Sequence, residues 1–363
     1  MTKFHIISAD SHVVEPPDLW LNYIEPRFKD RAPRLIHKDE GDVFEYEGQP
    51  FIAPMGMAAG AGKPSDQLRR HGRFDRDVPK GAWDPQARLG EIAVDGVDGE
   101  VLYPTVACFM FGLKDLEFQS ACFQAYNNWL ADFCAAHPDR LKGFGLMSLA
   151  SVEHGVQDLH RIRRQGLVGG LIAIYPDEEQ QYSEPRYDPL WAAAQDLDMP
   201  ISLHVNTERN FKVKRTMADN ATSDVHIRRS LTFMVTGGVF ERFPRLKIIS
   251  AENDVGWVPY FLERMDYLFD RTRNIYQWTV SRTMLPSEYI RRQVYFTFMR
   301  DSSWVPARHL IGLDRLMWAS DYPHTDSTWP RSREVIARML QDVPEEERRK
   351  ITLTNAGELY HFF

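Results

Sequence analysis

Short apolar runs rich in Val, Ile and Leu alternate along this chain with longer stretches in which apolar residues recur every three or four positions. Parallel strands buried on both faces give the first pattern, and helices that cover a sheet give the second. The strand-like runs are FHIISA (4–9), GEVLYPT (99–105), LKGFGLMSL (141–149), GGLIAIY (169–175), PISLHV (200–205), LKIISAE (246–252), QVYFTF (293–298) and RLMWAS (315–320). Between them lie helix-like stretches such as 117–137, 188–198 and 258–272. Eight strands alternating with helices predict an α/β fold, a TIM (β/α)8 barrel. A doubly wound sheet competes with it, but that fold normally carries a Gly-rich dinucleotide turn after the first strand, and here the turn reads ADSHVVEPP.

Residues 13–90 break the alternation. They are Pro-rich at VVEPPD, hairpin-like at VFEYEGQPFIA, and rich in Gly, Ala and Met at APMGMAAGAGKP. A loop of this length in a compact domain usually has a function, so the segment is expected to form a partly ordered cap over the barrel mouth, within a single domain spanning 1–363. GAGKP (60–64) is not a phosphate loop, because Pro64 stands where Ser or Thr must follow the lysine. EEERRK (345–350) reads as a solvated helix face with opposite charges at helical spacing.

Composition narrows the class. The 363 residues fit a barrel of roughly 250 residues with insertions. Hydrophobic residues at 43% supply a large core and argue against a disordered chain. The 44 basic and 51 acidic residues give a net charge of -7 with no basic tail, which argues against a nucleic-acid partner. No apolar run reaches membrane-spanning length, and MTKFHIISADSH lacks the features of a signal peptide, so the expected compartment is the cytoplasm. Cys108, Cys122 and Cys134 form no CxxC pair and read as buried thiols in a reducing environment.

A TIM barrel builds its active site at the C-terminal ends of its strands. Strand one ends in Asp10-Ser11-His12, strand five in His204, strand six in Glu252 and strand eight in Asp321. Asp10 and His12 are two apart, so an extended backbone puts both side chains on one face. Imidazoles with carboxylates suit one divalent metal ion per chain: zinc first, with manganese or iron as the other choices. Each residue also has a plainer reading. Asp10 and Asp321 could form turns, His12 could lie at the surface, His204 could be a satisfied core histidine, and Glu252 could favour the start of the following helix. His324 and Asn206 fall where they would line the mouth and support the site. Tyr103, Tyr175, Arg300, Trp257 and Trp329 lie near strand ends, either as an aromatic, partly cationic pocket for a small organic acid or acyl compound, or as packing at the barrel ends.

Longer segments extend the pattern: ISADSHVVEP, WDPQARLGEIAVDGVDGEVLYPT, YNNWLADFCAAHPDRLKGFGLMSL, PISLHVNT, FERFPRLKIISAENDVGWVPYFLERMDY and WASDYPHTDSTWP. At these residues the chain resembles the amidohydrolase superfamily, in the amidohydrolase-2 branch related to aminocarboxymuconate-semialdehyde decarboxylase. The resemblance implies that Asp10 and His12 are the first-strand ligand pair, often His-x-His, with His204 and Asp321 as the strand-five and strand-eight ligands. It also implies a homodimer. Two positions depart from the family pattern: Asp10 replaces the first histidine of the pair, and Glu252 stands where decarboxylases of this branch usually carry a histidine.

The leading expectation is therefore metal-dependent hydrolysis, with a metal-activated water, Asp321 as proton acceptor and donor, and Glu252 and His324 assisting. Non-oxidative decarboxylation on the same scaffold is the alternative. A third reading, from another class, is a barrel that binds a small molecule without turnover.

Overall fold

Eight parallel strands form one sheet in chain order: β1 (Ile7–His12), β2 (Gly99–Tyr103), β3 (Leu141–Leu146), β4 (Gly169–Ile172), β5 (Ile201–His204), β6 (Ile248–Ala251), β7 (Val294–Phe298) and β8 (Leu316–Trp318). The computed structural model describes residues 4–46, 49–51, 55–176, 179–209, 216–276, 278–280 and 283–363. Each strand pairs with its sequence neighbour, as the alternation predicts. The sheet curls until its ends meet: Asp321 N–H donates to Asp10 O at 3.0 Å and His12 N–H to Tyr322 O at 2.7 Å. The segment after β8 is thereby tied to the end of β1, and the predicted barrel is the fold observed.

β1 reaches further than its apolar run. Its register with β2 slips between Ser8 and Ser11, a bulge next to the residues that matter most for chemistry. Helices α1 (Pro85–Asp95), α2 (Leu116–Ala135), α3 (Val152–Arg164), α4 (Asp188–Asp196), α5 (Asp224–Thr236), α6 (Val258–Thr272), α7 (Pro286–Gln293) and α8 (Ser332–Met339) accompany the strands. The limits of α1 are written locally. Asp84 caps it by accepting from Ala87 N–H at 2.9 Å, Pro85 opens it, and Gly96 ends it at φ +74°, a conformation that costs glycine nothing.

The hairpin read at VFEYEGQPFIA is present as Gly41–Tyr46 paired with Gln49–Phe51, with Arg34–Lys38 completing a three-stranded antiparallel sheet. Residues 47–48 and 52–53 of that stretch lie outside the described residues. Trp20 fastens this region to α2: its indole N–H donates to Cys122 O at 3.2 Å and its ring meets Phe44 edge-on. Because Trp20 is fully buried, truncating it to alanine would cost about 3–5 kcal/mol. The 345–350 stretch forms the exposed helix Glu345–Arg349. All three cysteines are buried and unpaired. No helix among the described residues is long and apolar enough to cross a membrane.

Candidate active site

The ends of β1, β5, β6 and β8 bring Asp10, His12, His204, Glu252 and Asp321 together. His12 Nε2 lies 3.5 Å from Asp10 Oδ1, 3.4 Å from Glu252 Oε2 and 3.3 Å from Asp321 Oδ1. His204 Nε2 lies 3.6 Å from Asp10 Oδ1 and 3.2 Å from Glu252 Oε2. Backbone carbonyls orient both imidazoles. His12 Nδ1 is 2.9 Å from Pro104 O and His204 Nδ1 is 2.8 Å from Val205 O. A carbonyl only accepts, so each Nδ1 carries the hydrogen and each Nε2 is left with a lone pair aimed at the centre; this tautomer follows from the bonding network.

That arrangement leaves buried atoms without a partner: Asp10 Oδ1, His12 Nε2, His204 Nε2 and both Asp321 oxygens. Each such group costs about 1–3 kcal/mol if nothing satisfies it. A single divalent cation among them would satisfy them together, so Asp10, His12, His204 and Asp321 fit one. The electrostatics agree. Burial, and then the charges of Asp10 and Asp326, push the Asp321 carboxyl well above the usual range. Burial and Asp321 push Glu252 up to about 8. Burial works to lower His204, but Asp10 and Glu252 outweigh it and raise the imidazole to about 9. Burial, with His324 and His204 nearby, pushes His12 the other way. The protein groups by themselves concentrate more negative charge than a buried site tolerates, and either protons or a cation must balance it.

Several supporting residues were not singled out from the sequence. Arg88 on α1 pairs with Glu100 on β2 behind the site (Nε to Oε2, 2.6 Å) and donates to His12 O at 2.8 Å; Ser11 Oγ donates to Glu100 Oε1 at 2.8 Å. Thr297 on β7 accepts the Glu252 N–H at 2.9 Å and donates to Asp10 Oδ2 at 3.1 Å. Glu15, fully buried, accepts the N–H groups of Val106 and Ala107 and so shapes the loop after β2. A signal for the first pair existed: Arg88, Ile92 and Asp95 share the buried face of α1, and Glu100 is a charge inside an apolar run. Glu252 and Asp321 both sit at φ +54° and Asn206 at +65°, left-handed conformations that non-glycine residues keep mainly where function holds them.

Above the cluster opens a cavity of about 200 Å3, lined by His12, Met57, Ala58, Pro104, Thr105, Cys108, Phe109, His204, Val205, Asn206, Glu252, Asp321, His324, Thr325 and Asp326. His324 and Asn206 are thus at the mouth. Tyr103 lies below it, stacked on Phe144 at 4.7 Å with its ring 4.9 Å from His204. Tyr175 sits under the Arg229 guanidinium and accepts from Gln181. Arg300 donates to the carbonyls of Asp326 and Ser327. Trp257 bonds Asn253 O, and Trp329 bonds Glu91 O beside Tyr322. None of these last four side chains lines the cavity.

His324 is fixed from behind. Thr105 spends its only hydroxyl hydrogen on Val13 O at 2.7 Å, so it accepts from His324 Nε2–H at 2.9 Å. The lone pair on Nδ1 then faces Asp321 Oδ1 at 2.9 Å, a close contact that leaves this buried oxygen without a hydrogen bond. Two lone pairs at this distance call for a positive charge beside them.

The fold is an enzyme barrel whose strand-end donor set fits a divalent metal ion. A family model described as amidohydrolase matches residues 17–362, and the chain belongs to that family. Among curated relatives, it is 28% identical over 263 residues to the gamma-resorcylate decarboxylase of Rhodococcus jostii, an alignment covering 64% of this chain and 74% of the relative. The crystal structure of an amidohydrolase from Mycobacterium avium subsp. paratuberculosis superposes with a TM-score of 0.80 at 20% identity, covering 99% of this chain and 98% of that one. The 5-carboxyvanillate decarboxylase of Novosphingobium aromaticivorans, solved with manganese and 4-hydroxy-3-methoxy-5-nitrobenzoic acid, superposes with a TM-score of 0.70 at 21% identity over 99% and 96% of the two chains.

These relatives overturn the expectation of metal-dependent hydrolysis. The curated relatives it matches are decarboxylases, so the reading kept as the alternative is the better one. The physical reason is that strand-end ligands specify where a cation sits and not which bond breaks; hydrolysis and decarboxylation can use the same donors. Zinc as first choice of metal gains no support from them either, since the neighbour just described holds manganese.

Proposed function

We propose that the protein is a metal-dependent, non-oxidative decarboxylase of small aromatic carboxylic acids, with manganese as its metal. The observation that carries this reading is a pair of buried donor groups, Asp10–His12–His204 and His12–Glu252–Asp321–His324, that meet at His12 beneath a cavity large enough for a single substituted ring. Kinship with gamma-resorcylate and carboxyvanillate decarboxylases supports the substrate class. A donor set rich in carboxylate oxygen favours manganese over the softer choice of zinc. When bound, the metal ion supplies an electrophilic anchor for the substrate's acidic groups.

The chain's own residues do the rest. Met57, Phe109, Pro104 and Val205 give the cavity apolar walls that hold a ring and keep water from it. We assign Met57 and Ala58, and with them the 13–90 insertion, the role of a cap over that ring. Asp321, which lines the cavity above the donor cluster, is the acid. It hands its proton to the ring carbon that bears the carboxylate. The bond from that carbon to the carboxylate then breaks, its electron pair returns to the ring, and carbon dioxide leaves. Asp321 remains ionised until it takes up a proton from solvent. His324, in contact with Asp321 and tied to Thr105, keeps the acid in place.

The test is to incubate manganese-loaded protein with gamma-resorcylate and with 5-carboxyvanillate in D2O. The expected result is carbon dioxide release and one deuterium at the vacated carbon. Hydrolysis of acyl analogues, with no carbon dioxide from any hydroxybenzoate, would overturn the proposal.

A further inference from the structure

We infer that Glu252 is a fifth protein ligand of the metal, leaving one position of a six-coordinate ion, not two, for an external molecule. The inference rests on the metal site of the proposed function but not on which reaction that site performs.

Position is the first ground. Glu252 Oε2 lies 3.2 Å from His204 Nε2 and 3.4 Å from His12 Nε2, while Asp10 Oδ1 lies 3.6 and 3.5 Å from the same two nitrogens. Adjacent donors around a manganese-sized ion are separated by roughly 3 Å, the diagonal of metal–donor bonds of about 2.1 Å. Glu252 therefore occupies the imidazole pair as closely as Asp10 does.

Anchoring is the second. One hydroxyl, Thr297 Oγ1, accepts the Glu252 N–H and donates to Asp10 Oδ2, so β7 sets the spacing of the two residues. Glu252 also shares the φ of +54° with Asp321, the strand-eight carboxylate of the donor cluster. In both, the left-handed backbone turns a side chain into the barrel mouth just past a strand end.

The donors serve a single ion. His12 Nε2 has one lone pair, and Asp10, Glu252 and Asp321 all approach that one atom. The two donor groups, Asp10–His12–His204 and His12–Glu252–Asp321–His324, meet at His12, whose single lone pair serves only one ion.

The experiment uses the full-length chain stripped with a chelator and titrated with Mn2+ alone. Free Mn2+ read by electron paramagnetic resonance gives affinity and stoichiometry, and water-proton relaxation gives the number of exchangeable waters on the bound ion. Wild type should bind one Mn2+ with about one such water. Glu252→Gln should bind at least tenfold more weakly and gain a water, as a lost ligand requires, and Glu252→Asp should fall between. Equal affinity and equal hydration in wild type and E252Q would overturn the inference, as would two Mn2+ per wild-type chain. Circular dichroism establishes that the variants fold. Should E252Q fail to fold, wild type still decides: two exchangeable waters overturn the inference and one upholds it. One Mn2+ bound as expected, without carbon dioxide release, would overturn the decarboxylase reading and leave Glu252 as a ligand.

Discussion

Arg88 Nε lies 2.6 Å from Glu100 Oε2, and neither side chain reaches solvent. The same guanidinium donates to His12 O at 2.8 Å and to Tyr322 O at 3.4 Å, so one buried cation holds the ends of β1 and β8 in register. Removing either partner leaves an uncompensated charge in the interior. Arg88→Met should lower unfolding free energy by about 3–5 kcal/mol, whereas the double variant Arg88→Met, Glu100→Gln should recover part of that loss. Chemical denaturation of the three proteins measures the difference, and equal stability of the single variant and wild type would refute the role given to the pair.

Metal and fold are expected to be linked. A cation that satisfies the orphaned atoms of Asp10, His12, His204 and Asp321 binds only the folded chain. Mn2+ at 100 times its Kd should then add about 2.7 kcal/mol to stability. Thermal unfolding with and without a chelator should show the shift, and His204→Ala should abolish it while keeping the circular dichroism of wild type.

Glu15 should write itself into the pH dependence of stability. Burial raises its carboxyl from the ordinary 4.5 to about 7, against the lowering effect of the Ala107 and Val106 N–H groups. The folded chain therefore binds this proton more tightly than the unfolded chain does. The stabilisation is complete below pH 4.5 and is lost as pH rises to about 7, a change of roughly 3 kcal/mol. Glu15→Gln should remove that component, leaving a flatter stability profile between pH 4.5 and 7; an unchanged slope would show that Glu15 does not titrate there.

Thr105→Val deletes the acceptor that fixes His324 without touching the metal donors. Decarboxylation should slow by roughly 10–100-fold in kcat, with metal content unchanged, as befits a residue that orients a reacting one. Steady-state kinetics with elemental analysis distinguishes this from metal loss, and a wild-type kcat would exclude a positioning role.

How much of this was legible in the sequence differs by element. The helix read at 258–272 spans Val258–Thr272, because apolar spacing over four turns is a local signal. The end of β1 was harder. Its apolar run stops at Ala9, but the strand continues through Asp10 and His12 because Tyr322, more than 300 residues on, accepts the His12 N–H. Tyr175, Arg300, Trp257 and Trp329 stand near strand ends in sequence, yet their side chains are not among those that line the cavity. Nothing local encodes which side of a strand end a loop side chain takes.

The sequence by itself determined the eightfold alternation of strand and helix, and with it which side chains stand at strand ends, since periodicity and capping act over a few residues. Barrel closure decided the rest. It alone brings Arg88 to Glu100 and His12, gives Thr297 two carboxylate-bearing residues to hold, and turns Glu252 toward His204. Those relationships depend on strand register and burial between distant segments, and desolvation, which sets their electrostatics, exists only once the chain has packed.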